Sequence, residues 1–203
     1  MPSREEIITF HDVPVPAGAS PWVPGAAPQV GVDVAEPDPE WPARFDELAA
    51  RIRAALGWRV LNLEHVGSTA VPGLPAKPII DMDLTVADPD DEDAYVPALE
   101  AAGFELRIRE PWWYGHRVLR AAVPNCNLHV FGYDSPELVK HRIFRDWLRG
   151  NAGERDLYAA AKRDAADTAN AHGEHTMQYN ARKELVVREI YHRAFVAAGL
   201  IDE

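Results

Sequence analysis

Apolar residues recur at helical spacing in "EWPARFDELAARIRAAL". Trp41, Phe45, Leu48, Ile52 and Leu56 fall on one face there, which predicts a helix starting at Asp38 or Pro39 and stopping at Gly57. The period then shortens. "RVLNLEHV" alternates as a strand does, and "AKPIIDMDLTV" reads as a β-rich run from about Pro78 to Val86. "DPDDEDAYVPALEAAGF" predicts an acidic start, a short amphipathic helix and a stop at Gly103. "ELRIRE", "HRVLRAAV" and "CNLHVFGY" predict three more strands, the last two joined by a tight turn at Pro124-Asn125. From Pro136 the spacing is helical again. Val139, Ile143 and Trp147 share a face in "PELVKHRIFRDWLRG", "ERDLYAAAKRDAADTANA" is Ala-rich, and Val186, Ile190 and Ala194 share a face in the last segment. The expected fold class is α+β, a mixed sheet backed by helices and followed by a helical C-terminal segment. Residues 1–39 form a leader, rich in Pro, Gly and Ala over 11–39, that lies against the body. Residues 40–203 form one domain, with the sheet core in 40–135 and the helical segment in 136–203.

Composition narrows the functional classes. A net charge of −11 argues against nucleic acid and anionic membrane as partners, while leaving room for a small anionic ligand at a local cationic site. The single cysteine, Cys126, excludes an internal disulfide and a cysteine-based zinc cluster, and points to a reducing cytoplasm. No apolar run reaches transmembrane length, and the first residues lack the pattern of a signal peptide.

The run "HVGSTAVPGLPAKPIIDMDLTV" carries the chemistry. In a strand, Asp81 and Asp83 point to one face, with Ile80, Met82 and Leu84 in the core. Adjacent carboxylates repel unless a cation sits between them, and two aspartates are ligands that Mg²⁺ or Mn²⁺ accepts. An exposed acidic strand face is the plainer alternative. The turn Gly67-Ser68-Thr69 at the end of the preceding strand offers backbone N–H groups and a hydroxyl to phosphate oxygens. A phosphate cradle beside paired acids is equipment for phosphoryl or nucleotidyl transfer. Lys77 could steady a triphosphate or be a loop lysine. Arg117, one strand from His129, could face the same site or form an ion pair.

The arrangement of an apolar residue, Gly and Ser, then Asp-x-Asp resembles the nucleotidyltransferase superfamily built around DNA polymerase β. More narrowly, the run resembles the GrpB family, with further likeness in "EWPARFDEL", "NLHVF", "HRIFRDWLR", "LYAAAKRDAA" and "YNARKELVVREIY". The resemblance implies a nucleotidyltransferase-type sheet, a nucleoside triphosphate as donor, Mg²⁺ or Mn²⁺ held by Asp81 and Asp83, and a small-molecule acceptor. The superfamily's third carboxylate is absent. His129 stands at that position, either as ligand or base, or as a hydrogen-bonded core histidine in a site that has kept binding and lost transfer. Tyr179 and Lys183 fall in a family segment and are candidates for base stacking and phosphate contact, with capping and packing as the alternative. Because relatives occur fused to dephospho-CoA kinase, the second implied function is a non-catalytic nucleotide- or CoA-related binding or accessory domain.

Overall fold

The computed structural model describes residues 1–10 and 13–202, so His11 and Asp12 of the leader lie outside the described residues. Five strands form one sheet: β1 (Asn62–Val66), β2 (Ile80–Val86), β3 (Phe104–Glu110), β4 (His116–Ala121) and β5 (Cys126–Gly132). Their order is β1-β2-β5-β4-β3. β2 and β5 run parallel in the middle, and the other pairings are antiparallel. The inner strand β2 is buried along nearly its whole length, as a strand covered on both faces must be. The fold is α+β, as the sequence predicts.

One face of the sheet carries the main core. Helix α2 (Trp41–Leu56) and the short α3 (Val96–Ala101) lay Leu48, Ile52, Leu56 and Leu99 on Ile80, Met82, Leu84, Leu128 and Val130. Helix α2 starts later than the sequence suggests. Asp38 lies ahead of it and accepts the Glu40 N–H through Oδ1 at 2.9 Å. The strand expected over "RVLNLEHV" also starts later, because Gly57 turns the chain into a 3-10 segment over Gly57–Arg59.

The other face carries Asp81, Asp83, Asn127 and His129. Over it stand α4 (Pro136–Gly150), α5 (Ala152–Ala171) and α6 (Thr176–Ala197). Helix α4 reaches the sheet through a bond from His141 to Asp83. Ahead of the leader's Pro-rich part, a helix not foreseen from the pattern, α1 (Arg4–Ile8), is closed by a Ser3/Glu6 capping box and packs Ile7 against Tyr191 and Phe195. Further on, the chain touches the body at isolated bridges from Trp22 to Ile108, Val30 to His175 and Ala35 to Ala76. Among the described residues no helix is long and apolar enough to cross a membrane.

Candidate functional site

Strand register explains which side chains meet. Asp81 sits opposite Asn127 and Asp83 opposite His129 across the β2–β5 pair, so all four project from the same face. Asn127 Nδ2 donates to Asp81 Oδ1 at 3.0 Å. His129 Nε2 lies 4.0 Å from the same oxygen. The two aspartates have different surroundings. Asp81 is partly exposed on the wall of a cavity of about 400 Å³. Asp83 is only 2% exposed, and both of its oxygens accept from His141 Nδ1, at 3.2 and 2.9 Å. Burial opposes charge on His141, but the Asp83 charge and hydrogen bond outweigh it and raise the imidazole to about 9. The cation expected beside the paired acids is, in this structure, the imidazolium of His141. Its position inside "HRIFRDWLR" was the available signal, and sequence reasoning passed over it.

The Gly67 turn forms the near edge. Ser68–Ala70 is one turn of 3-10 helix. Its own bonds, from Ala70 N–H to Gly67 O and Val71 N–H to Ser68 O, do not use the N–H groups of Ser68 and Thr69. Gly67 has φ +67°, and a Cβ there would stand 2.6 Å from Asp81 Oδ2 and 2.9 Å from Asp81 Cβ. Glycine is therefore required both for the backbone and for the approach of the turn to the aspartate. Gly67→Ala is expected to cost ~1–3 kcal/mol in backbone strain alone and to push Asp81 aside. Thermal unfolding and nucleotide titration of the variant would show both losses, and an unchanged variant would refute the close approach. The Thr69 hydroxyl is not available as a phosphate ligand. It accepts from His65 Nε2 at 3.0 Å and donates to the Ile79 carbonyl at 3.3 Å, while His65 stacks on Phe45 and is held neutral, near 4, by burial and by Arg149 and Arg145.

The far wall is cationic. Lys77, Lys162 and Lys183 line the same cavity with Tyr158, Tyr179 and Asn180. Lys162 is 2% exposed, donates to the Pro75 carbonyl and lies 4.6 Å from the Tyr158 ring centre. Burial, then Lys183 and Arg163, drive its ammonium down to about 7. Burial also lowers Lys77, against the pull of Asp81. Lys183 lies 5.3 Å and Lys77 5.4 Å from the centre of Tyr179. That ring is buried beneath two ammonium groups, so it positions lysines and offers no open face to a base. Lys162 was missed in the sequence because it sits on the Ala-rich face of α5, with Tyr158, Ala165, Ala166 and Ala169. A lysine on such a face was the signal.

His129 is held from behind by a chain of bonds. Glu110 Oε2 lies 2.8 Å from His116 Nδ1, and His116 Nε2 lies 3.0 Å from His129 Nδ1. Burial keeps both imidazoles neutral, pushing His116 far down and His129 down despite Asp81 and Asp83. With Glu110 ionised, His116 donates to it through Nδ1–H and accepts from His129 Nδ1–H. His129 Nε2 then carries a lone pair on the cavity side.

Arg117 does not join this site. It pairs in register with Val130, and so projects to the opposite face, where it bonds Glu92 at 2.8 Å and Asp90 at 2.9 Å. Lys140 of α4 is also internal, 1% exposed and bonded to Glu137 at 2.6 Å.

A divalent ion can be tested against these donors. Among the described residues no three His, Cys, Asp or Glu side chains are gathered as a ready metal cluster. Mg²⁺, however, is commonly held by one or two carboxylates together with substrate phosphates rather than by an all-protein cage, and Mn²⁺ also accepts imidazole. Asp81, on the cavity wall with His129 beside it, fits that kind of shared site, whereas both oxygens of Asp83 are engaged by His141.

Comparison with known proteins agrees with this layout. A family profile described as GrpB protein matches residues 31–193. A UPF0157 protein of Halalkalibacterium halodurans is 48% identical over 163 residues, covering 80% of this chain and 82% of that protein. A dephospho-CoA kinase of Mycolicibacterium paratuberculosis is 31% identical, covering 81% of this chain but 46% of that protein. The crystal structure of a conserved protein GrpB from Enterococcus faecalis superposes with a TM-score of 0.71 at 30% identity, covering 82% of this chain and 99% of that one.

Proposed function

The chain belongs to the GrpB family, and from that premise we propose that its cavity binds a nucleoside triphosphate and transfers the nucleotidyl group to a small acceptor. The observation that carries the reading is the polarity of one cavity, with three lysines on one wall and Asp81, Asn127 and His129 on the other, next to a glycine turn. Three clustered ammonium groups, with Lys162 and Lys77 depressed in basicity, favour a polyanion, because each phosphate oxygen relieves their mutual repulsion. Lys77, Lys162 and Lys183 take the β- and γ-phosphates, and Ser68 with the turn N–H groups takes an adjoining phosphate oxygen. Mg²⁺ or Mn²⁺ would be held by Asp81 and the substrate phosphates, with Asp83 next along the strand, and would supply charge neutralisation at the reacting phosphate. His129 Nε2, bare on the cavity side, is placed to take the acceptor's proton as a general base.

Calorimetric titration of ATP, GTP, CTP and UTP tests this, with Mg²⁺ or Mn²⁺ and then with EDTA, on wild type and Asp81→Asn/Asp83→Asn. The expected result is metal-dependent binding of at least one nucleotide, lost in the double variant. Binding indifferent to metal and to the substitutions would instead support a nucleotide- or CoA-related binding domain. That second reading is favoured by one observation, the closure of Asp83 by His141. A nucleotide that fails to bind at all would remove both.

A further inference from the structure

A second chamber adjoins the main cavity. This chamber has a volume of about 170 Å³ and shares Lys77, Ile79, Asn127, His129 and Asn180 with the first. Its floor is the same sheet face continued across β4 to β3, through Val118, Arg120 and Ile108. The leader roofs it. Val23 N–H donates to Arg107 O at 3.1 Å and Arg109 N–H to Pro21 O at 2.8 Å, which fixes Trp22 alongside the edge strand, opposite Ile108. Thr176 N–H donates to Gln29 O at 2.9 Å, which ties the leader to the start of α6. The roof thus spans from the sheet edge to the C-terminal helices, with Trp22, Ala27 and Gln29 facing the chamber.

Its charge is one-sided. Lys77, Arg107 and Arg120 line it, and among the described residues no carboxylate does. Arg107 is paired with Glu105 at 3.0 Å. Arg120 is not ion-paired among the described residues. Its one bond, to Asn125 Oδ1, is 3.3 Å long. Glu105, opposite Arg120 in register, is 71% exposed and turned to Arg107. Register also sets the reach. Asp81, Asn127 and Arg120 occupy one rung on the adjacent strands β2, β5 and β4, so Arg120 stands two strand spacings, about 10 Å, from Asp81. A small molecule with an anionic head on Arg120 and a hydroxyl a few bonds away would place that hydroxyl between His129 and Asp81.

We propose that the second chamber is the acceptor subsite and that it takes a small hydroxy acid, held by its carboxylate in the fork of Arg120 and covered by Trp22. A single unpaired guanidinium matches a carboxylate monoanion in charge and in bidentate geometry. The volume, below the ~300–1,000 Å³ of drug-sized sites, limits the acceptor to a small molecule. The assignment rests on the transferase reading of the main cavity. There the acceptor oxygen bonds to the α-phosphorus, the bond from that phosphorus to the αβ-bridging oxygen breaks, and pyrophosphate leaves. The hydroxyl proton passes to His129 Nε2.

The test is a titration of the ¹⁵N-labelled full chain with glycolate, lactate and malate, and with inorganic phosphate as competitor. The Trp22 indole N–H, assigned with Trp22→Phe, is followed with and without Mg²⁺ and a non-hydrolysable ATP analogue. The proposal requires that at least one hydroxy acid shifts the Trp22 signal, and that Arg120→Gln weakens this at least tenfold. Arg120→Lys, which keeps the charge and loses the fork, should recover part of the affinity. The analogue should bind Arg120→Gln within about twofold of wild type, which shows that the main cavity is intact. No response of Trp22 to any hydroxy acid, an equal response in Arg120→Gln, or displacement by an equal concentration of phosphate would each overturn it. Failure of the analogue to bind wild type would strike the transferase reading and with it the acceptor role, while the Trp22 response would still decide whether the chamber takes a hydroxy acid on Arg120.

Discussion

Lys162→Met is expected to stabilise the ligand-free protein while weakening triphosphate binding by roughly 10–100-fold, the loss of one charge-assisted contact of ~1.5–3 kcal/mol. Lys162 is buried in α5 with its ammonium lowered from 10.5 to about 7, first by burial and then by Lys183 and Arg163. The sign follows from the protons bound. Below pH 7 the lysine is charged in both folded and unfolded chains, and the folded state bears the full penalty, on the order of 4 kcal/mol. Between about 7 and 10.5 only the unfolded chain holds the proton, so the penalty is relieved as pH rises. Methionine fills a similar volume without the charge. It leaves the Pro75 carbonyl without the bond that Lys162 gives it, which costs ~1–3 kcal/mol. The net gain at pH 7 is then about 1–3 kcal/mol, a rise in Tm of ~3–10 °C for a chain of this size. Differential scanning calorimetry between pH 6 and 10 would show it. The gain should shrink as pH rises, because wild type recovers what the variant never lost. A bound polyphosphate reverses the same effect by restoring the proton, so wild type at pH 8 should take up protons on nucleotide binding and Lys162→Met should take up fewer. Calorimetry in buffers of different ionisation enthalpy measures that number directly. A variant less stable than wild type at pH 7, with unchanged nucleotide affinity, would show that Lys162 is a structural lysine.

Much of this site was legible in the sequence because strand parity is a strict rule. Once "IIDMDLTV" is a strand, Asp81 and Asp83 must share a face, and "CNLHVFG" must place Asn127 and His129 together. The structure shows both. The glycine turn was legible too, since Gly67 has a backbone angle that an L-residue avoids and a neighbour that a Cβ would strike. What escaped lies on helices and depends on tertiary docking. His141 reaches Asp83 across 58 positions of sequence and Lys162 reaches Pro75 across 87, and no local period encodes such distances. Arg117 went to the other face because β4 pairs Arg117 with Val130 and Val118 with His129, a register fixed by the hairpin rather than by the strand's own residues. The different states of the two aspartates had the same cause. The sequence presents them as equivalent, and only the docking of α4 on the sheet gives one of them a histidine.

That docking leads to the second large effect. His141→Gln is expected to lower stability by ~3 kcal/mol at pH 6, since it leaves the buried Asp83 carboxylate without its cation. The imidazole is raised from 6.5 to about 9, with burial opposing its charge and Asp83 overcoming the opposition. A group whose basicity is raised on folding contributes stability that is complete below its unfolded value and lost as pH passes its folded value. The pair therefore stabilises fully below pH 6.5, and the contribution falls away as pH rises through about 9. With the ring 26% exposed, the contribution is roughly 2–3 kcal/mol. Wild type and His141→Gln should accordingly converge between pH 6.5 and 10. The double variant Asp83→Asn/His141→Gln, with a neutral amide pair on the same two positions, should lie near wild type at pH 6 and show none of the dependence. Urea unfolding of the three proteins at pH 6, 8 and 10 decides it, because the midpoints report stability so long as the slopes agree. The pH trend is opposite to that of Lys162, so the two contributions partly cancel in wild type across pH 7–9, and a flat wild-type profile there is consistent with both. A gap between wild type and His141→Gln that stays constant from pH 6 to 10 would mean that the two residues touch without exchanging charge. The strand would then hold two acids with no protein cation between them.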